Sequence, residues 1–187
     1  MPPGISQLHL MDCAPPCWIG IIPGLTTVED AKAKLITAYR GQSELQFKDS
    51  GFADGPVSPN VVENAIEGNK FYLSVRLNIS TLVDGKNETV QSIGLFETRE
   101  DRSHYAPTVA DILGSFGPPQ WVVVDESIGS GSEITLKYNG LDVVFNSHNR
   151  ALILTEYPRL YLGNQVKQAP SAHYRPWKGF GTLALGK

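Results

Sequence analysis

Two cysteines come closest to a chemical motif in this sequence. Cys13 and Cys17 are separated by three residues, two of which are Pro15 and Pro16. This spacing is one residue longer than the C-x-x-C of thiol oxidoreductases, and a soft metal would need further thiolate or imidazole ligands. We therefore favour a structural disulfide, which is typical of an oxidising compartment. Two free thiols, a redox pair and a soft-metal site are the alternatives.

The histidines offer no recognisable catalytic or metal-binding spacing. His9, His104, His148 and His173 lie far apart, and none belongs to an H-x-H, H-x-x-x-H or H-E-x-x-H pattern. The G-x-S-x-G pattern of a serine nucleophile is also missing. We therefore predict a protein that is not an enzyme, with no catalytic residue, no metal and no cofactor. The competing hypothesis is a small hydrolase or thiol-redox protein that uses Cys17 or His148.

Composition narrows the classes of partner. The 187 residues include 41% hydrophobic and 19% charged residues with a net charge of -3, and a globular chain of this size buries roughly 70% of its unfolded surface. Nucleic-acid binding is disfavoured, because it needs a basic face and no basic run exceeds two residues. No apolar run reaches the roughly 18 residues of a transmembrane helix. We expect another protein or a peptide as the partner, in an oligomeric state that the sequence leaves open.

Two segments have the start signals and the periodicity of helices. Thr26 precedes Glu29 by three residues, which is the spacing of a capping box. Thr108 is a suitable N-cap for a second, shorter helix, which Gly117 ends. Apolar residues then recur at helical spacing, at Val28, Ala31, Leu35 and Ala38 in the first helix and at Val109, Ile112, Leu113 and Phe116 in the second.

Alternating residues predict antiparallel strands after each helix. In the first half, residues 71–79 and 90–96 form a hairpin with a turn near Asp84 and Gly85. In the second half, Asn139-Gly140 is the preferred two-residue hairpin turn, with further strands at 121–124 and 151–155. The turn pairs Tyr138 with Leu141, Leu136 with Val143, and Ile134 with Phe145.

These elements predict an α+β protein made of two helix-plus-antiparallel-meander units. The first unit covers residues 1–103 and includes the cysteine-containing lead-in, and the second covers residues 104–167. Residues 168–187 form an irregular tail, rich in aromatic residues, that packs on the fold. The pattern Thr-Val-x-Asp occurs at 27–30 and again at 108–111. A tandem repeat and the convergence of two helix caps explain this recurrence equally well.

Residues 16–27 contain a distinctive sequence pattern, made of Pro16-Cys17-Trp18, Gly20-Ile21, Pro23-Gly24 and Thr26-Thr27. This pattern resembles the opening of a family of bacterial exported proteins and lipoproteins. The sequence from Thr108 to Pro119 is similar to the second half of the same family. More remotely, the order of elements resembles small outer-membrane assembly lipoproteins and the β-lactamase-inhibitor-protein fold. The resemblance implies a secreted or envelope-associated protein whose signal peptide has been removed. Lipid anchoring is not implied, because no signal sequence precedes Cys13.

The leading functional hypothesis is a non-catalytic, extracytoplasmic module that binds a protein or peptide. Aromatic residues are enriched at the energetically dominant positions of interfaces. The candidate contacts are Trp18, Tyr174, Trp177 and Phe180. The alternative is that these four side chains close the ends of the core.

Overall fold

A computed structural model describes residues 2–39, 44–50, 60–68, 71–80, 89–96, 107–125, 132–147, 154–163 and 174–179. The elements in these ranges are three helices and nine strands. They are α1 (Pro3–Gln7), α2 (Val28–Ala38), β1 (Glu44–Ser50), β2 (Asn60–Gly68), β3 (Phe71–Ser80), β4 (Thr89–Phe96), α3 (Val109–Phe116), β5 (Trp121–Asp125), β6 (Ser132–Tyr138), β7 (Leu141–Ser147), β8 (Arg159–Gly163) and β9 (Arg175–Pro176). The predicted α+β class with an antiparallel sheet is confirmed.

All described strands belong to one sheet with the order β1-β2-β3-β4-β8-β7-β6-β5-β9. Each neighbouring pair is antiparallel, and β4 joins β8 where the first four strands meet the next four. A helix followed by four antiparallel strands therefore occurs twice along the chain. Duplication as the origin of this order stays a prediction. The predicted unit boundaries at 103/104 and 167/168 lie outside the described residues.

One face of the sheet is an apolar surface shared by both meanders. Directly opposed residues form a row across six strands, and each is at most 2% exposed. Because this row crosses the β4–β8 junction, the two meanders share one core. Buried residues of α2 and α3 belong to the same core cluster, so the helices cover this face. The row consists of Val122, Leu136, Val143, Leu160, Leu95 and Val75.

The helix starts confirm one predicted cap and correct the other. The N-cap of α2 is Thr27, not Thr26, because the Thr27 hydroxyl accepts the Asp30 N–H. The Thr26 hydroxyl instead accepts the Ile22 N–H at 2.8 Å. At α3 the predicted N-cap Thr108 is confirmed, and Asp111 completes a capping box. The predicted apolar face of α2 is also confirmed, with Val28, Ala31 and Leu35 buried.

The strand predictions are confirmed for both hairpins, and the strand predicted at 151–155 is wrong at its last two residues. The β6–β7 register matches the predicted pairs residue by residue, and β3 pairs with β4, although the turn between β3 and β4 lies outside the described residues. Leu154 and Thr155 lie in a turn, and residues 151–153 of the predicted strand lie outside the described residues. The carbonyls of Leu154 and Glu156 accept the first N–H groups of α3, so this backbone caps a helix. The fourth strand of the second meander is therefore β8.

Candidate functional site

Trp18 does not reach the surface. Its side chain is 0% exposed, and its indole Nε1–H donates to the Leu8 carbonyl at 2.6 Å. Reciprocal backbone hydrogen bonds with Ile21 hold the segment in a tight turn. The prediction that Trp18 is a candidate surface contact is therefore wrong, because the turn directs the ring into the core, where it packs near Tyr39.

Cys13 and Cys17, the two cysteines of the chain, form a disulfide with their Cα atoms 5.6 Å apart. The predicted pairing is present, so Cys17 has no free thiol for nucleophilic attack in this structure. His148, the other residue of the hydrolase hypothesis, lies outside the described residues. Across the described ranges, no group of three or more His, Cys, Asp or Glu residues is arranged to hold a metal ion.

The face of β5–β8 opposite the helices has a different character, and we call it the outer face. Val123 and Val144 lie on this face: their side chains are 6% and 7% exposed, but they do not belong to the core cluster that includes the helices. Side chains alternate across a strand, so every second residue from these positions lies on the outer face. The described members are Trp121, Val123, Asp125, Glu133, Thr135, Lys137, Asp142, Val144, Asn146, Arg159 and Tyr161.

Four of the five charged residues described on the outer face form two ion pairs. Lys137 and Asp142 are directly opposite each other in β6 and β7, with Nζ 2.8 Å from Oδ2. Each of these two side chains is only 15% exposed. Arg159 of β8 crosses β7 to reach Glu133 of β6 at 2.5 Å. These two pairs neutralise four charges on the outer face.

Two exposed aromatic rings flank Lys137. Trp121 lies directly opposite Lys137 in the sheet and is 45% exposed, and Tyr174 is 40% exposed with its ring centroid 5.9 Å from the Lys137 Nζ. An ammonium group at this distance from an aromatic ring is attracted by its electron-rich face. We call Trp121, Lys137 and Tyr174 the aromatic patch.

The short strand β9 places the predicted aromatic residues of the tail. Arg175 pairs with Val122 of the core face, so Tyr174, one residue earlier, turns to the outer face. Trp177 lies two residues after Arg175, on the core side, and it is partly buried against the core. Tyr174 is therefore the predicted contact that the structure leaves exposed, and Phe180 lies outside the described residues. The expectation of a tail without strands is corrected by β9.

Trp121 was not among the residues that the sequence singled out. Its strand reads Trp-Val-Val-Val-Asp, and three consecutive valines conceal the alternation that would place Trp121 on the face opposite the core. All three valines are at most 6% exposed, although Val123 lies on the outer face. The Asn-Gly turn sets the β6–β7 register, but Trp121 lies opposite Lys137 through the β5–β6 register, which that turn does not set.

Among the described residues, the groups with clearly shifted pKa values lie on the core side, away from the aromatic patch. Burial raises the pKa of Tyr138 to about 12, and its hydroxyl donates to the Gly117 carbonyl at 3.0 Å. Burial, with a smaller contribution from the Asp12 charge, also raises the pKa of Tyr39. These phenols are structural groups. The outer face combines exposed aromatic surface with closed ion pairs, which suits recognition better than proton transfer.

Comparisons with protein-family models, with curated proteins and with solved structures found no match to this chain. In the part of the chain that the structure describes, no helix is both long enough and apolar enough to cross a membrane. The resemblance to exported bacterial proteins therefore stays a prediction. The function has to be argued from the outer face and the disulfide.

Proposed function

We propose that this protein is a non-catalytic, extracytoplasmic module that binds a protein or peptide through the aromatic patch. The observation that carries the proposal is the exposure of Trp121 and Tyr174, at 45% and 40%, beside Lys137 and Asp142, whose side chains are 15% exposed. Tryptophan and tyrosine combine a large apolar area with a polar group, and they dominate the energetic centres of protein interfaces.

The charge pattern favours a partner segment with little net charge at the contact. Lys137 is paired with Asp142, and Arg159 is paired with Glu133. A charged ligand would have to compete with these closed pairs, whereas an apolar or aromatic segment only has to cover the rings. Interfaces commonly combine such an apolar centre with a polar rim.

The extracytoplasmic location is supported by the disulfide between Cys13 and Cys17, because such bonds persist mainly in oxidising compartments. The test is to quench cells of the source organism in acid and label free thiols with a maleimide of known mass. We expect no label before reduction and two labels after it. Two labels without reduction would overturn the location.

Binding is tested by selecting a random-peptide phage library on the wild-type protein and measuring the affinity of synthetic copies of the enriched peptides. We expect Trp121→Ala to weaken binding by roughly tenfold or more, as for a residue at the centre of an interface, and Tyr174→Ala to weaken it less. Leu25→Ala is the matched control, since Leu25 is a 74% exposed apolar residue outside the patch.

The control separates site-specific binding from general stickiness. A loss of affinity with Trp121→Ala and none with Leu25→Ala supports the proposal. Equal losses in the two variants contradict it, and so does a library that yields no peptide above background. Circular dichroism of each variant confirms that the fold is retained.

A further inference from the structure

The disulfide loop, residues 13–17, rests on the turn of the β6–β7 hairpin. A Cβ added at Gly140 would lie 2.7 Å from the Pro16 nitrogen and 2.8 Å from its Cδ. Gly140 also has a φ of +79°, which L side chains rarely adopt. Glycine is therefore needed here for two reasons, the turn itself and the close approach of the loop.

The chain after the disulfide loop contacts the junction of the two meanders. A Cβ at Gly163, the last residue of β8, would lie 2.8 Å from the Pro23 Cβ. Gly24 donates its N–H to the Val90 carbonyl in β4. Because β4 and β8 are the strands that join the meanders, this segment contacts both of them.

The hairpin turn connects the disulfide loop to the aromatic patch. Gly140 lies two residues before Asp142 and three after Lys137, which form the ion pair at this end of the hairpin. Lys137 in turn lies under the Tyr174 ring. A shift of the turn would therefore move the central residue of the patch.

We propose that the Cys13–Cys17 disulfide is a redox-sensitive support of the β6–β7 hairpin, and that reduction loosens the end of the hairpin that carries Lys137. The bond closes a loop of five residues, so Pro16 has few positions other than the one in contact with Gly140. Reduction opens the loop and restores conformational freedom to this segment, so that Pro16 contacts Gly140 for a smaller fraction of the time.

The chemical step is exchange with a dithiol reductant. A thiolate of the reductant attacks one sulfur of the Cys13–Cys17 bond, forms a mixed disulfide and releases the other cysteine as a thiol. The second thiolate of the reductant then closes its own disulfide and releases the remaining cysteine. Two electrons and two protons pass to the protein, and the dithiol leaves oxidised.

The contact is tested with Gly140→Ala and its matched control Gly24→Ala. Gly24 is also the third residue of a β-turn and has a similar φ of +82°, but nothing lies within 4 Å of an added Cβ, so its substitution introduces backbone strain alone. We expect Gly140→Ala to raise the unfolding equilibrium constant about tenfold more than Gly24→Ala, because overpacking adds to strain. In the Cys13→Ser/Cys17→Ser background the excess should fall to about threefold or less, because the loop can then move away.

An excess that is unchanged in the double-serine background overturns the proposal, since the disulfide would then not hold Pro16 in place. Should the double-serine protein fail to fold, hydrogen exchange of the wild-type protein before and after reduction with dithiothreitol decides the matter. We expect the Lys137 and Asp142 amides to exchange about tenfold faster after reduction, with Val122 and Val124 in β5 unchanged. Unchanged or uniformly faster exchange contradicts the proposal.

A peptide-binding measurement separates this proposal from the proposed function, on which it rests. The peptides enriched by phage selection are titrated against the oxidised and the reduced protein. By selective loosening we mean faster amide exchange at Lys137 and Asp142 without faster exchange in β5. Selective loosening with weaker peptide binding supports both proposals. Selective loosening with unchanged binding supports the redox-sensitive support and counts against the aromatic patch as the binding site. Weaker binding without loosening contradicts the redox-sensitive support alone.

Discussion

Neighbouring residues of β6 have opposite environments on the two faces of the sheet. Leu136 is 0% exposed and belongs to the apolar row that crosses six strands, whereas Thr135 and Lys137 on either side of it lie on the outer face. The core face connects both meanders through continuous packing, whereas the outer face combines two buried valines, Val123 and Val144, with separate ion pairs and two exposed rings. Stability should therefore depend mainly on the core face, which leaves the exposed rings of the outer face available for recognition.

The largest effect that tests this comparison is expected at Leu136. We predict that Leu136→Ala lowers the free energy of unfolding by about 3–4 kcal/mol, because a fully buried leucine leaves a cavity when truncated. Its half-buried neighbour Thr135 provides the control, and Thr135→Ala should cost about 1 kcal/mol or less. Urea denaturation followed by circular dichroism measures both. Equal costs would show that the two faces do not differ in this way.

The tryptophans provide the second test. Trp18 is buried and donates to the Leu8 carbonyl, whereas Trp121 is 45% exposed. We predict that Trp18→Phe costs about 2 kcal/mol, because the buried carbonyl loses this donor and the smaller ring packs less well. Trp121→Phe should leave the free energy of unfolding within about 0.5 kcal/mol of the wild-type value.

Thermal and urea denaturation of the two tryptophan variants measure the difference. A destabilising Trp121→Phe would mean that the outer ring has a structural role, which would weaken its assignment to a binding patch. A harmless Trp18→Phe would mean that the lead-in contributes little to the core. Either outcome would change the comparison between the two faces.

The contrast between these faces also explains which features the sequence could predict. The β6–β7 hairpin was predicted pair by pair, because an Asn-Gly turn and period-two alternation act over a few residues. The burial of Trp18 depends on Leu8, ten residues away, and on a helix that no pattern indicated. The strand predicted at 151–155 was wrong at Leu154 and Thr155, because the backbone there makes a turn whose Leu154 and Glu156 carbonyls accept from α3, some 45 residues earlier in the chain.

The candidate site was predictable in part. Tyr174 was singled out by its residue type, but its place on the outer face depends on β9, a strand of two residues that pairs with the far side of β5. Trp121 became a neighbour of Tyr174 only through the same pairing. Local patterns therefore identify residues capable of recognition, and the strand order of the sheet decides which of them meet.

A smaller effect is expected at the Lys137–Asp142 pair. We predict a coupling energy of about 1 kcal/mol from a cycle of Lys137→Met, Asp142→Asn and the double variant, because the pair is mostly shielded from water but not fully buried. Urea denaturation in low and high salt measures it. A coupling near zero would show that the closed pair contributes only to the charge pattern of the outer face.

The last difference between the faces develops only at alkaline pH. Tyr138 lies on the core side, where burial raises its pKa to about 12 from the ordinary 10.0. Above pH 10 the unfolded chain releases the phenolic proton while the folded protein retains it, so the stability due to this group is complete below pH 10 and is lost as the pH rises towards 12.

Tyr138→Phe removes the titrating group and the hydrogen bond to the Gly117 carbonyl together. We predict that this variant is less stable than the wild type at pH 7 and that the gap narrows between pH 10 and 12. Urea denaturation across that range measures the gap, and a constant gap would mean that the folded state does not favour the neutral phenol.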